Sequence, residues 1–164
     1  MYGLSCRSCW SKADKVNLKP GIKTAWSADK TKLTALKTLL NTLPTTTVGS
    51  ATSGVAKTDV YEVYCVAPAT SLIASVSDLA PVKPATVSIQ IKKGAALSPA
   101  KTDTVDGDAG FSPTTTLAGG VGPYTVNVTK NASTTVGAET YKGLLSCKNG
   151  AASVGLAWRL VTNN

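Results

Sequence analysis

From Tyr124 to Thr129 apolar and polar residues alternate, with Tyr124, Val126 and Val128 on one face and Thr125, Asn127 and Thr129 on the other. That period of two is the signature of a half-buried strand. Residues 85–92, ATVSIQIK, repeat it, with Val87, Ile89 and Ile91 set against Ser88, Gln90 and Lys92. In residues 59–66, DVYEVYCV, Tyr61, Val63 and Cys65 share one side while Val60, Tyr64 and Val66 surround Glu62 on the other. Apolar groups on both faces predict a central strand. Residues 153–162, SVGLAWRLVT, align Val154, Leu156, Trp158 and Leu160 and turn Arg159 away. Residues 138–147 add a further strand, and 71–79, SLIASVSDL, fit a short helix or a strand. Pro81, Pro84, the stretch 131–137 and Lys148-Asn149-Gly150 supply turns between them. Six or seven short strands with turn signals roughly every 10 residues predict a mainly β chain, an antiparallel sandwich or barrel over residues 55–164.

The pattern changes period ahead of this body. In residues 27–43, SADKTKLTALKTLLNTL, Leu33, Leu36, Leu40 and Leu43 recur at helical spacing with Leu39 beside them, while Lys30, Lys32 and Lys37 largely avoid the stripe. Ser27 can cap the start, Asp29 suits the positive end of the macrodipole, and Pro44 ends the helix. This amphipathic helix packs either on its own sheet or against a neighbouring copy through the four leucines. Before it, residues 1–21 read as an irregular arm that stops at Lys19-Pro20-Gly21, with Tyr2 and Trp10 pointing to docking somewhere. After it, 45–54, TTTVGSATSG, reads as a polar connector, so the arm and helix occupy 1–54 and the body 55–164.

Charge sharpens this division. The formal net charge is +8 in 164 residues, and residues 1–57 hold nine Lys or Arg against Asp14 and Asp29, whereas 58–164 carry eight against seven. Arg7, Lys12, Lys15, Lys19, Lys23, Lys30, Lys32 and Lys37 therefore form a basic front end able to lie on nucleic acid or another anionic surface. Their single spacing equally suits a solvated lysine-rich segment. The chain has no histidine, the commonest general acid or base and a favoured metal ligand, so catalysis and zinc binding are disfavoured. Aromatic residues at 5% leave few stacking platforms for bases or sugars.

Cys6, Cys9, Cys65 and Cys147 form an even set with three possible pairings. Cys6 and Cys9 make a CxxC, but the paired-knuckle zinc pattern is missing. Disulfides, reduced thiols and redox or metal chemistry all remain readings, and disulfides imply an oxidising environment. Asp103, Asp106 and Asp108, with Gly107 and Gly110, are weak calcium candidates: the carboxylates are close, yet the spacing is not that of an EF-hand and no glutamate closes the loop. Asn127-Val-Thr129 and Asn131-Ala-Ser133 match the glycosylation acceptor pattern. No apolar run reaches the roughly 20 residues of a membrane span. The N-terminus lacks the apolar core of a signal peptide, so export would follow another route, lysis included, or a signal since removed.

Residues 119–125, Gly-Gly-Val-Gly-Pro-Tyr-Thr, followed by alternation, resemble the turn-and-strand of bacterial and phage immunoglobulin-like or PKD-like modules. The resemblance implies an Ig-like β-sandwich used for display, adhesion or assembly, with no catalytic residues to carry over. Such a body behind a basic arm and helix predicts a non-enzymatic structural subunit of an extracellular assembly, a phage virion protein (coat, decoration or tail) that needs no cofactor. Its partners would be copies of itself or another structural protein. The alternatives are a pilin-like filament or adhesin subunit, and a soluble binding module for an anionic partner.

Overall fold

The computed structural model describes residues 41–164. Cys6, Cys9, the expected arm with the basic residues from Arg7 to Lys37, and Leu33, Leu36 and Leu40 of the expected helix lie outside the described residues. Within them the chain forms strands β1 (Thr42–Val48), β2 (Lys57–Cys65), β3 (Ser71–Leu79), β4 (Val87–Lys93), β5 (Ala96–Leu97), β6 (Lys101–Thr102), β7 (Thr115–Ala118), β8 (Gly122–Lys130), β9 (Glu139–Asn149), β10 (Ala152–Val154) and β11 (Leu156–Thr162).

The strands pair antiparallel in two sheets, one ordered β1-β9-β3-β7 and the other β11-β2-β8-β4. In the first, β10 pairs with the end of β9 and extends the side occupied by β1. In the second, β5 and β6 lie one after the other along β4 as a single interrupted edge. The interruption falls at Ser98-Pro99, where Pro99 has no N–H to donate. Ser98 repairs it: its amide donates to the Ile91 carbonyl at 2.9 Å, and its Oγ accepts from the Ile91 amide at 2.9 Å. After β1, and apart from the short β5, β6 and β10, every strand lies in the opposite sheet from the strand before it.

The alternating faces meet between the sheets. Tyr61, Val63 and Cys65 of β2, Leu72, Ala74 and Val76 of β3, Val87, Ile89 and Ile91 of β4, and Tyr124, Val126 and Val128 of β8 are all buried there. The segment 71–79, open between helix and strand from sequence, is a strand because β7 and β9 pair with its two edges. Cys65 and Cys147 form a disulfide that ties β2 to β9 across the core.

Two expectations change at the front of the body. Leu43, placed on the helical stripe by its spacing, belongs to β1 and is fully buried in the core. The segment read as a connector supplies most of that strand, so the β body begins at Thr42 and not at residue 55. The physical reason is local: Pro44 forbids continuing a helix, and Thr45, Thr46, Thr47 and Val48 are β-branched. Pro44 is accommodated at an edge strand, where the pairing register shifts between Leu43 and Thr46. The last expected strand also divides. At Gly155 the chain leaves β10 in one sheet and enters β11 in the other, and a Cβ there would lie 2.9 Å from Val66 Cγ2.

The glycine-rich turn before β8 is held by Lys93, whose Nζ donates to the Gly119 carbonyl at 2.6 Å and the Val121 carbonyl at 2.8 Å. That ammonium also sits 4.2 Å from the centroid of the Tyr124 ring, and the Tyr124 hydroxyl donates to the Gly120 carbonyl at 2.8 Å. A Cβ at Gly119 would lie 2.6 Å from Lys93 Cδ and 3.0 Å from the Tyr124 hydroxyl, so a side chain there would have to displace this lysine.

Candidate functional site

Four strands carry their inward alternation one step beyond the apolar core and end it on a charged residue. Asp59 precedes Tyr61 on β2, Asp78 follows Val76 on β3, Lys130 follows Val128 on β8, and Glu139 precedes Tyr141 on β9. The register gathers them at one end of the sandwich: Asp59 lies opposite Val128, Asp78 opposite Tyr141, and Lys130 opposite Val87. All four are buried. Charges removed from water cost free energy unless they are paired or neutralised, so their partners decide what this end can do.

Asp59 is well served. Its Oδ2 accepts from the Tyr141 hydroxyl at 2.7 Å, its Oδ1 accepts from the Asn164 amide at 2.8 Å, and the Tyr61 and Tyr141 hydroxyls are 2.5 Å apart. Burial first, then the bonds to Tyr61 and Asp59, hold the Tyr141 phenol far above its ordinary range.

Asp78 is not. Both its carboxyl oxygens are buried without a hydrogen-bond partner among the described residues. Burial, then the neighbouring carboxylates of Asp106, Glu139 and Asp103, push its carboxyl up to about 7; the Val87 amide, which makes no proper hydrogen bond to it, acts in the opposite direction. Glu139 is raised by burial as well, opposed by Lys83 and Lys130 and reinforced by Asp106. Its Oε2 and the Lys130 Nζ are likewise buried and without a hydrogen-bond partner among the described residues.

The three aspartates singled out for calcium serve the backbone. Asp103 Oδ2 accepts from the Asp78 amide at 2.8 Å, Asp106 Oδ2 accepts from the Lys83 amide, and Asp108 Oδ1 accepts from the Gly110 amide at 2.7 Å. Among the described residues no group of three or more His, Cys, Asp or Glu side chains is arranged to hold a metal ion. Both glycosylation-type asparagines sit on or beside β8: Asn127 is half-buried, and the Asn131 amide donates to Thr86 Oγ1 at 2.8 Å and Ser88 Oγ at 2.9 Å.

Of the four predicted cysteines, Cys65 and Cys147 are brought together, and Leu43 joins the core. The charged end went unread, although its signal was present: Lys130 and Asp78 stand two positions beyond Val128 and Val76, on faces otherwise apolar.

A second feature lies on the surface. β11 pairs only with β2 among the described strands, so its outer edge is open. Leu160 and Val161 are 40% and 56% exposed there, and Tyr64 and Val66 are exposed nearby. Arg159, its one charged residue, is occupied by Glu62 at 2.6 Å. No helix among the described residues is long and apolar enough to cross a membrane. No family model, no curated protein and no solved structure matches the chain.

Proposed function

We propose that the chain is a non-enzymatic structural subunit of an extracellular assembly, a phage virion protein of the coat, decoration or tail type. It self-associates, with the basic arm and amphipathic helix gripping a neighbour or the underlying particle.

The observation that carries this reading is the strand order. Counting β5 with β6 as one strand, and leaving aside β10 and β11, the eight remaining strands run first-eighth-third-sixth in one sheet and second-seventh-fourth-fifth in the other. That is the order of a jelly roll, an architecture used by viral capsid and lectin domains. An immunoglobulin-like sandwich, expected from the glycine-rich turn, keeps hairpin neighbours such as D–E and F–G side by side within a sheet. Here the long strands that follow one another lie in opposite sheets, which favours the jelly roll over the immunoglobulin order. The chain's basic charge is concentrated ahead of the body, where it suits an anionic surface.

The test is the size and shape of the full chain by sedimentation velocity and negative-stain electron microscopy, at low and high salt and with and without reductant. Particles, filaments or disulfide-linked ladders are the expected result. A monodisperse monomer across concentration and salt, retaining a small ligand, would replace this reading with that of a binding module.

A further inference from the structure

We propose that the buried carboxyl of Asp78 is a proton-operated latch: neutral, it leaves the segment 103–112 seated on the half of β3 that β7 does not pair; ionised, it repels that segment and releases it. The proposal stands on the body's own geometry and does not depend on the assembly reading.

The segment acts as a substitute strand. β7 pairs with β3 only from Ser71 to Ala74, leaving the Val76–Leu79 half of that edge without a strand. There the Ser112 amide donates to the Val76 carbonyl at 2.7 Å and its Oγ accepts from the Val76 amide at 3.2 Å. Two residues on, the Gly107 amide donates to the Asp78 carbonyl at 3.1 Å, and Asp103 Oδ2 accepts from the Asp78 amide at 2.8 Å. Asp106 Oδ2 ties the same segment to the Lys83 amide, and Gly107 packs so closely on Val82 that a Cβ would lie 2.5 Å from its Cγ2.

These connections span Val76 to Lys83, on either side of Asp78, whose own amide and carbonyl are both engaged by the segment. Facing it are Asp106 and Asp103 from the segment, Glu139 from β9 and the Val87 amide from β4. The cations nearby, Lys83 and Lys130, act on Glu139. A negative charge on Asp78 would therefore meet three carboxylates, while neither of its oxygens has a hydrogen-bond partner among the described residues. The element that can yield is the segment carrying Asp103 and Asp106, because it is joined to β3 by a few bonds and not by a full ladder.

The sign follows from linkage. A carboxyl held above its ordinary value in the folded state favours that state when protonated, so closure is fully supported below about pH 4 and is lost as pH climbs through about 7. Native-state hydrogen exchange of the full chain, corrected for intrinsic rates, reads this directly. Protection of the Asp78, Gly107 and Ser112 amides should fall at least about ten-fold between pH 5.5 and 8.5, while Leu72 and Cys147 at the far end keep theirs. Asp78→Asn should make the three protections independent of pH. Asp106→Asn, which removes one repelling charge, should move the transition to lower pH. Equal protection of the wild type at both pH values, or an undiminished pH dependence in Asp78→Asn, would overturn the proposal. Should Asp78→Asn not fold, an unmoved transition in Asp106→Asn would do the same.

Discussion

Tyr141 is the residue on which the ordered part of the charged end turns. Its hydroxyl donates to Asp59 and meets that of Tyr61, so Tyr141→Phe strips a buried carboxylate and a buried phenol of a partner at once. Leaving such groups unsatisfied costs about 1–3 kcal/mol, and urea denaturation of the variant should show a loss of that size. Tyr61→Phe should cost less, because the bond from Tyr141 to Asp59 survives it. Equal losses in the two variants would mean that the Asp59 contact contributes nothing beyond the tyrosine pair. None of this was readable from residue identities. Burial turns Asp59 from a solvated strand end into an acceptor for Tyr141 and for the Asn164 amide, far away in the chain.

Elements were legible where a strict alternation marked them. β4 and β8 emerge from sequence nearly as the structure has them, because Val87, Ile89 and Ile91, like Tyr124, Val126 and Val128, leave one face uniformly apolar. β1 was hidden because Leu43 and Val48 are its only buried positions and Pro44 and three threonines separate them, which looks like a loop until β9 supplies the partner edge. The disulfide was legible only as one of several pairings, since the folding that brings β2 beside β9 is a property of the sandwich and not of cysteine spacing. Cys65 and Cys147 are 82 residues apart in sequence, so the bond closes a long loop in the unfolded chain. Replacing both with alanine should lower stability by roughly 2–4 kcal/mol, measured by chemical denaturation, with the fold retained. A loss below about 1 kcal/mol would show that β-sheet pairing around β9 already restricts the unfolded chain.

At the scale of the molecule, the described body is nearly balanced in charge, most of the basic excess falling before it in sequence, so bodies approach one another with little mutual repulsion. Open sheet edges then matter, because an unprotected edge strand invites pairing with another chain unless charge, proline or a bulge blunts it. β11 has little protection along its first five residues: no proline, a single charge already engaged by Glu62, and a register shift only beyond Leu160. Val161, more than half exposed, is the position at which a charge would guard that edge without disturbing the core. Val161→Lys should therefore weaken self-association of the full chain roughly ten-fold, a change of about 1.4 kcal/mol, in a sedimentation-velocity concentration series. Its denaturation midpoint should stay that of the wild type. Association unchanged by the substitution would exclude this edge as the contact between copies.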